Sequence, residues 1–217
     1  MNNLKFKNYY KRNLPHFQSE GGIYAITFRL AFSLPKKYIE KMKHEKKEFD
    51  KCVKNLSGEK LESFKIKFGK YCYEEFDDFI GKYQNPKNWL KEKSIALIVW
   101  DSIHYWNKKR YRLFCFCIMS NHVHLLIQPN KENRENYYSL AKILYSIKRH
   151  TAGKCNRRLN RKGQFWYHES YDHQIRNEED YFYQLNYIVQ NPVKANLVDD
   201  WQEWDYTFME KETFFNL

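Results

Sequence analysis

With 217 residues, of which 42% are hydrophobic and 18% aromatic, the chain carries enough apolar content for one sizeable globular domain, which excludes a solvated tail. Lys and Arg outnumber Asp and Glu by 38 to 26, for a formal net charge of +12 and a pI near 9.3, which favours polyanionic partners such as nucleic acid. No apolar stretch approaches the roughly 20 residues that span a bilayer, and the residues before Gly21 lack the apolar segment of a signal peptide, so a cytoplasmic protein without a membrane partner is expected.

In chain order, the basic and aromatic segment Tyr9 to Phe17, which includes Arg12, leads to a Gly21-Gly22 turn and a first strand over Ile23 to Leu30. There Tyr24, Ile26 and Phe28 alternate with Ala25, Thr27 and Arg29, so one face suits a core. From about 36 to 83 the chain is dense in Lys and Glu at helical spacing, with a break near Ser57-Gly58. These residues predict two helices inserted after the first strand, and their charge reads as a solvated helical hairpin without chemistry. A further helix is predicted from about Lys87 to Lys109, and it leads into two apolar runs, Tyr111 to Met119 and His122 to Ile127. Ser120-Asn121 fits a tight turn between them, which makes the pair a hairpin.

In the second strand of that hairpin, side chains alternate between faces, so His122 and His124 share one face while Val123, Leu125 and Ile127 share the other. Two histidines so placed are what a two-imidazole metal site needs. The same spacing also fits a strand with two solvent-facing histidines, which would contribute little to packing.

After Pro129, an amphipathic helix is predicted from about Tyr137 to Leu159, with Leu140, Ile143, Leu144 and Ile147 on one face. Its charges are nearly all positive, and Lys148, Arg149, Lys154, Arg157 and Arg158, with Arg12 near the amino terminus, are the candidate nucleic-acid contacts. An extended segment over Gln164 to Ile175 follows, and then a helix capped by Asn177 with Glu178, Glu179 and Asp180 in its first turn. Pro192 ends that helix near Asn191. The five cysteines are an odd number with no Cys-x-x-Cys pair, so they read as reduced, mostly buried thiols. The order of elements predicts one α+β domain over 1–217, a ferredoxin-like (RRM-like) antiparallel sheet with helices packed on one face and the insertion at about 36–83.

Tyr187 and Asn191 are four residues apart at the end of the last helix and project from one face. Two readings are open: a hydroxyl nucleophile beside an amide ligand, or a core tyrosine beside a helix-capping asparagine.

Ser120-Asn121-His122-Val123-His124, together with the run Tyr187 to Val198, resembles the single-tyrosine HUH transposases, specifically the REP-associated tyrosine transposases. The resemblance covers most of the chain and also touches Arg12 to Phe17, Ile26 to Leu30 and Asp172-His173, with 36–83 its least informative part. It implies that His122, His124 and Asn191 hold Mg²⁺ or Mn²⁺ and that Tyr187 is the nucleophile. The implied activity is that of a single-stranded DNA nickase and ligase which transposes hairpin-bearing, REP-like DNA through a 5′-phosphotyrosine. A nucleoid-associated monomer or homodimer would serve. Two other classes share the basic and aromatic content: a non-catalytic hairpin-binding regulator and a structured RNA-binding protein. The residues leave the base for Tyr187 unassigned; His173, His150, Glu169 and Asp172 are candidates by type.

Overall fold

The structure is a computed structural model that describes residues 9–11, 15–17, 19–32, 34–83 and 87–211. Arg12 lies outside the described residues. A short antiparallel pair, β1 (Tyr9–Lys11) and β2 (Pro15–Phe17), precedes the main sheet. The turn at Gly21, with φ of 68°, occupies a left-handed conformation that glycine adopts without strain. Then follow β3 (Tyr24–Arg29), α1 (Lys36–Val53), α2 (Gly58–Lys82), a single 3₁₀ turn (Trp89–Lys91) and α3 (Lys93–Trp106). The chain continues through β4 (Tyr111–Ile118), β5 (His122–Pro129), α4 (Leu140–Arg158), β6 (Tyr171–Gln174), α5 (Glu178–Val189), α6 (Asn191–Lys194) and β7 (Thr207–Met209).

The main sheet has the order β6-β3-β5-β4-β7, all antiparallel. β5 is its centre. Met119 N donates to His122 O at 2.9 Å across the two-residue turn, so the hairpin forms where Ser120-Asn121 predicts it. Pairing sets Thr27 opposite His124 and Arg29 opposite His122 on one side, with Cys117 opposite His124 on the other.

Both faces of the sheet are covered, which corrects the expectation of helices on one face. Tyr24, Ile26, Phe28, Val123, Leu125 and Ile127 form one core with Ile95, Val99 and Ile103 of α3 and Ile143, Leu144 and Ile147 of α4. On the opposite face Ala25, Cys115, Cys117 and Leu126 pack with Leu185, Tyr187 and Ile188 of α5 and Tyr73 of α2. The alternation that directs large apolar residues to α3 and α4 directs the histidines to α5 and α2. Both imidazoles are therefore fully covered, His122 at 1% and His124 at 0% exposure, rather than solvent-facing.

The insertion also departs from the expectation of a solvated hairpin. Its outer surface carries ion pairs such as Lys82–Asp78, but α2 buries Tyr73, Phe76, Asp77 and Ile80. Phe76 stacks on Tyr171 of β6 at 3.7 Å, and Asn121 Nδ2 donates to Ile80 O at 3.2 Å, so α2 grips both a sheet edge and the hairpin turn. Four of the five cysteines are buried, Cys52 is exposed, and all five are free. No helix among the described residues is long and apolar enough to cross a membrane.

Asn177 caps α5 by accepting from Asp180 N at 2.8 Å, with three acidic residues in the first turn as the helix dipole favours. α5 ends at Val189, and the single turn α6 carries Pro192 near its start, where a missing N–H costs nothing. Lys148 faces inward: its ammonium donates to Tyr167 O and Glu169 O, both at 3.1 Å, which pins the segment before β6 to α4. Lys148→Ala should therefore destabilise the fold by about 1–3 kcal/mol, the typical cost of orphaning groups from a charged donor. Thermal melting would read that loss in the absence of DNA, and an unchanged melting temperature would return Lys148 to the surface set.

Candidate active site

Each element around the buried histidines contributes one kind of atom. β5 supplies two ring nitrogens, since His122 Nε2 and His124 Nε2 meet at 2.8 Å. Their outer nitrogens are held by neighbours. His122 Nδ1 lies 2.5 Å from Asn121 Oδ1, and because the Asn121 amide nitrogen is committed to Ile80 O, that oxygen can only accept. His122 thus carries its proton on Nδ1 and presents a lone pair from Nε2. His124 Nδ1 stands 3.0 Å from Thr27 Oγ1 and 3.4 Å from Asp77 Oδ1. If His124 carries its proton on Nδ1, toward Thr27 Oγ1 and Asp77 Oδ1, its Nε2 directs a second lone pair at the first, and two such lone pairs call for a cation between them.

Burial pushes both imidazoles down to about 3, so they are neutral at physiological pH, as ligands must be. The 3.4 Å approach of His124 Nδ1 to Asp77 Oδ1 is accordingly a polar contact with a neutral ring rather than an ion pair. Asp77, His122 and His124 place one donor atom each within 4.8 Å of one another, all buried. Two imidazoles and a nearby carboxylate suit Mn²⁺ and Zn²⁺, and with further oxygens Mg²⁺. The residues fit a divalent metal.

Tyr187 enters from α5. Its hydroxyl donates to Asp77 Oδ2 at 2.5 Å, and its ring lies edge-on to His124 with centroids 6.5 Å apart. Burial and then the Asp77 charge raise its pKa well above the usual phenol range, so the resting group is a protonated phenol. Burial pushes Asp77 itself up to about 6. Lys194 Nζ sits 3.8 Å over the Tyr187 ring, a cation placed on an aromatic face. Asn191 is buried one turn on, and its Nδ2 donates to Tyr187 O at 2.9 Å, as a helix-capping asparagine would.

The structure thus brings His122, His124 and Tyr187 together with Asn191 beside them. It adds Asp77 and Thr27, which no sequence pattern singles out. Asp77 is one acid among many in a Lys- and Glu-rich helix, and nothing local distinguishes it. Two of the candidate bases are placed otherwise. His173 Nε2 bonds Asp180 at 2.8 Å and ties β6 to the start of α5, while His150 is exposed on α4.

The candidate DNA contacts are not drawn to this site. α4 packs on the face of the sheet opposite the histidines. There Arg149, Lys154, Arg157 and Arg158 are exposed, Arg149 donating to Tyr145 Oη at 2.8 Å. If this face carries phosphates, neutralising Arg149, Lys154, Arg157 and Arg158 should lower the slope of log affinity against log salt by about 0.7–0.9 for each phosphate that is no longer paired with a cation. Fluorescence titrations with a hairpin from low to moderate salt would measure it, and an unchanged slope would move the DNA to another face.

The model of the family described as Transposase IS200 like matches residues 79–191. A Haemophilus influenzae protein named as a REP-associated tyrosine transposase is 30% identical over 108 residues, which cover 47% of this chain and 61% of that relative. A solved structure of a REP-associated tyrosine transposase bound to a REP hairpin superposes with a TM-score of 0.55 at 14% identity, covering 91% of this chain and 80% of that one. At that identity the likeness establishes the fold, a five-stranded antiparallel sheet with helices packed on it. The family match spans more than half of the chain and takes in the histidine hairpin, the basic helix, Tyr187 and Asn191, so the chain belongs to the IS200-like transposase family.

Proposed function

We propose that the protein is a metal-dependent single-stranded DNA endonuclease and strand transferase, which cuts and rejoins hairpin-bearing, REP-like DNA through a 5′-phosphotyrosine on Tyr187. The observation that carries this reading is the convergence of His122 Nε2 and His124 Nε2, 2.8 Å apart, beside a tyrosine whose hydroxyl lies in the same hydrogen-bonded cluster. His122 and His124, with Asn191 as the family resemblance implies, would hold Mg²⁺ or Mn²⁺. Such an ion, when bound, neutralises a non-bridging oxygen of the scissile phosphate and favours in-line attack.

The chain's own groups account for the rest. Tyr187 Oη forms the new bond to phosphorus, the P–O3′ bond breaks, and the phenolic proton is balanced by the one gained on the released 3′-hydroxyl. The phosphotyrosine conserves the energy of the broken ester, so a second 3′-hydroxyl can reverse the step and join a different end. The sheltered face built by α2 and α5 limits water, which would otherwise hydrolyse the intermediate. Basic side chains hold phosphates and exposed aromatics stack unpaired bases, a combination suited to single strands. A monomer or homodimer acting on nucleoid DNA in the cytoplasm fits this reading.

The test is incubation of the protein and Mn²⁺ with a library of hairpin-bearing single strands, followed by denaturing gels and peptide mass mapping. A covalent adduct to the strand 3′ of the cut, mapped to Tyr187, is the expected result. Hairpin binding with no adduct across the library would make the protein a non-catalytic regulator instead.

A further inference from the structure

Asp77 is 2% exposed, and among the described residues no Lys or Arg forms an ion pair with it. A carboxylate so placed is costly to bury, and its two oxygens serve different partners. Oδ2 accepts from the Tyr187 hydroxyl at 2.5 Å, while Oδ1 lies 3.4 Å from both Thr27 Oγ1 and His124 Nδ1. These partners come from α5, β3 and β5, and Asp77 comes from the inserted α2, two residues before the family match begins.

We propose that Asp77 is a catalytic residue contributed by the helical insertion: one oxygen fixes the direction of the Tyr187 hydroxyl, and the other, beside Thr27 Oγ1 that is hydrogen-bonded to His124 Nδ1 at 3.0 Å, favours the His124 proton on Nδ1 so that Nε2 is presented to the metal. The inference rests on Tyr187 and the two histidines having the roles proposed above. The insertion is then a working part of the site. Its placement is enforced by contacts on either side of Asp77 along α2: Phe76 stacked on Tyr171, Tyr73 accepting from Thr27 Oγ1 at 3.2 Å, and Ile80 O accepting from Asn121. Asn121 in turn orients His122, so α2 has a hold on the outer nitrogen of each histidine and on the nucleophile. Partners of this kind, which orient metal-binding histidines from outside, typically account for about 10–100-fold in metal affinity or activity.

Three substitutions in the full chain separate this role from a structural one. Asp77→Asn keeps the shape but places an amide where two acceptors are needed. Asp77→Glu keeps the charge and both acceptors and displaces them by one methylene. Asp78→Asn changes the exposed neighbour that pairs with Lys82 and serves as the control. For each, Mn²⁺ affinity by calorimetry, hairpin affinity, adduct-formation rate and melting temperature are measured. Asp77→Asn is expected to weaken Mn²⁺ binding by about 10–100-fold and slow adduct formation by at least as much, with hairpin affinity unchanged. Asp77→Glu is expected to recover part of both losses, and Asp78→Asn to match wild type. A merely structural Asp77 predicts the reverse order, with Asn the better substitute because its shape is closer. Wild-type Mn²⁺ affinity and adduct rate in Asp77→Asn, or Asn outperforming Glu, would overturn the inference while leaving Tyr187 in place. Were wild-type protein to form no adduct, the proposed function would fail, and the Mn²⁺ affinities alone would decide Asp77.

Discussion

Tyr187→Phe is expected to bind a hairpin-bearing strand as wild type does and to leave no covalent adduct. The substitution removes one oxygen and keeps the ring that packs among Leu185, Ile188 and Leu126, so α5 stays seated on the sheet. It removes the donor to buried Asp77 Oδ2, which costs about 1–3 kcal/mol and leaves the apolar packing of α5 in place. Only the bond-forming atom is gone. Tyr183 is the natural control, because it stands one turn earlier with its ring 6.1 Å from that of Tyr187. Its hydroxyl goes elsewhere, donating to Glu74 Oε1 at 3.1 Å, and the residue is 45% exposed. Tyr183→Phe should therefore form adduct at the wild-type rate. An adduct that persists in Tyr187→Phe, or that maps to Tyr183, would sink the assignment of the nucleophile.

The second large effect falls on the histidines. His122→Ala and His124→Ala should each abolish Mn²⁺ binding and slow adduct formation by about a thousandfold or more, the scale expected when a metal stops neutralising charge at phosphorus. An exposed strand face would have made these substitutions harmless to the fold. Their burial changes that expectation. Removing either ring deletes a buried hydrogen bond, leaving Asn121 Oδ1 without its partner in the His122 variant and Thr27 Oγ1 with only Tyr73 and Asp77 in the His124 variant, at about 1–3 kcal/mol. In a chain of this size that is roughly 2–12 °C in melting temperature, which leaves a folded protein in which to measure binding.

The pH dependence of stability carries the same signature. Both rings are held at about 3, below the ordinary value of 6.5, so the unfolded chain takes up their protons first on acidification. Their contribution to metal-free stability is present above about 6.5 and declines as pH falls toward 3. Asp77, raised from 3.8 to about 6, works with the opposite sign between those values and offsets part of it. Each His→Ala variant should lose less stability than wild type when acidified over that window. Equal acid sensitivity in wild type and both variants would place the titrating groups elsewhere in the chain.

Much of this architecture is visible in local pattern. A strand's period of two puts His122 and His124 on one face whatever surrounds them, and a helix's period of 3.6 sets Asn191 one turn beyond Tyr187. Ser120-Asn121 defines the hairpin, Asn177 with its acidic turn defines the start of α5, and Ser57-Gly58 divides α1 from α2. Short elements are less legible. β7 is three residues, Thr207–Met209, too few for any period to show, and it is a strand because it pairs with Cys115 to Cys117. Lys148 sits in a run of like charges, where nothing local distinguishes a cation that turns inward.

What the sequence by itself determined is thus the set of residues within reach of one another along a single element: the two histidines, the tyrosine with its asparagine, and the basic side of α4. What only the tertiary structure decided is which faces are covered and which distant atoms meet. Period two yields two faces of a sheet but does not say that α2 and α5 close over the histidines, so their burial and their depressed pKa values are consequences of docking. Asp77 stands 110 residues from Tyr187, and their contact exists because Phe76 and Ile80 bury α2 against the sheet. Burial of apolar side chains is non-directional and has no signature at the acid it carries with it, which is why the charged helix concealed a member of the site.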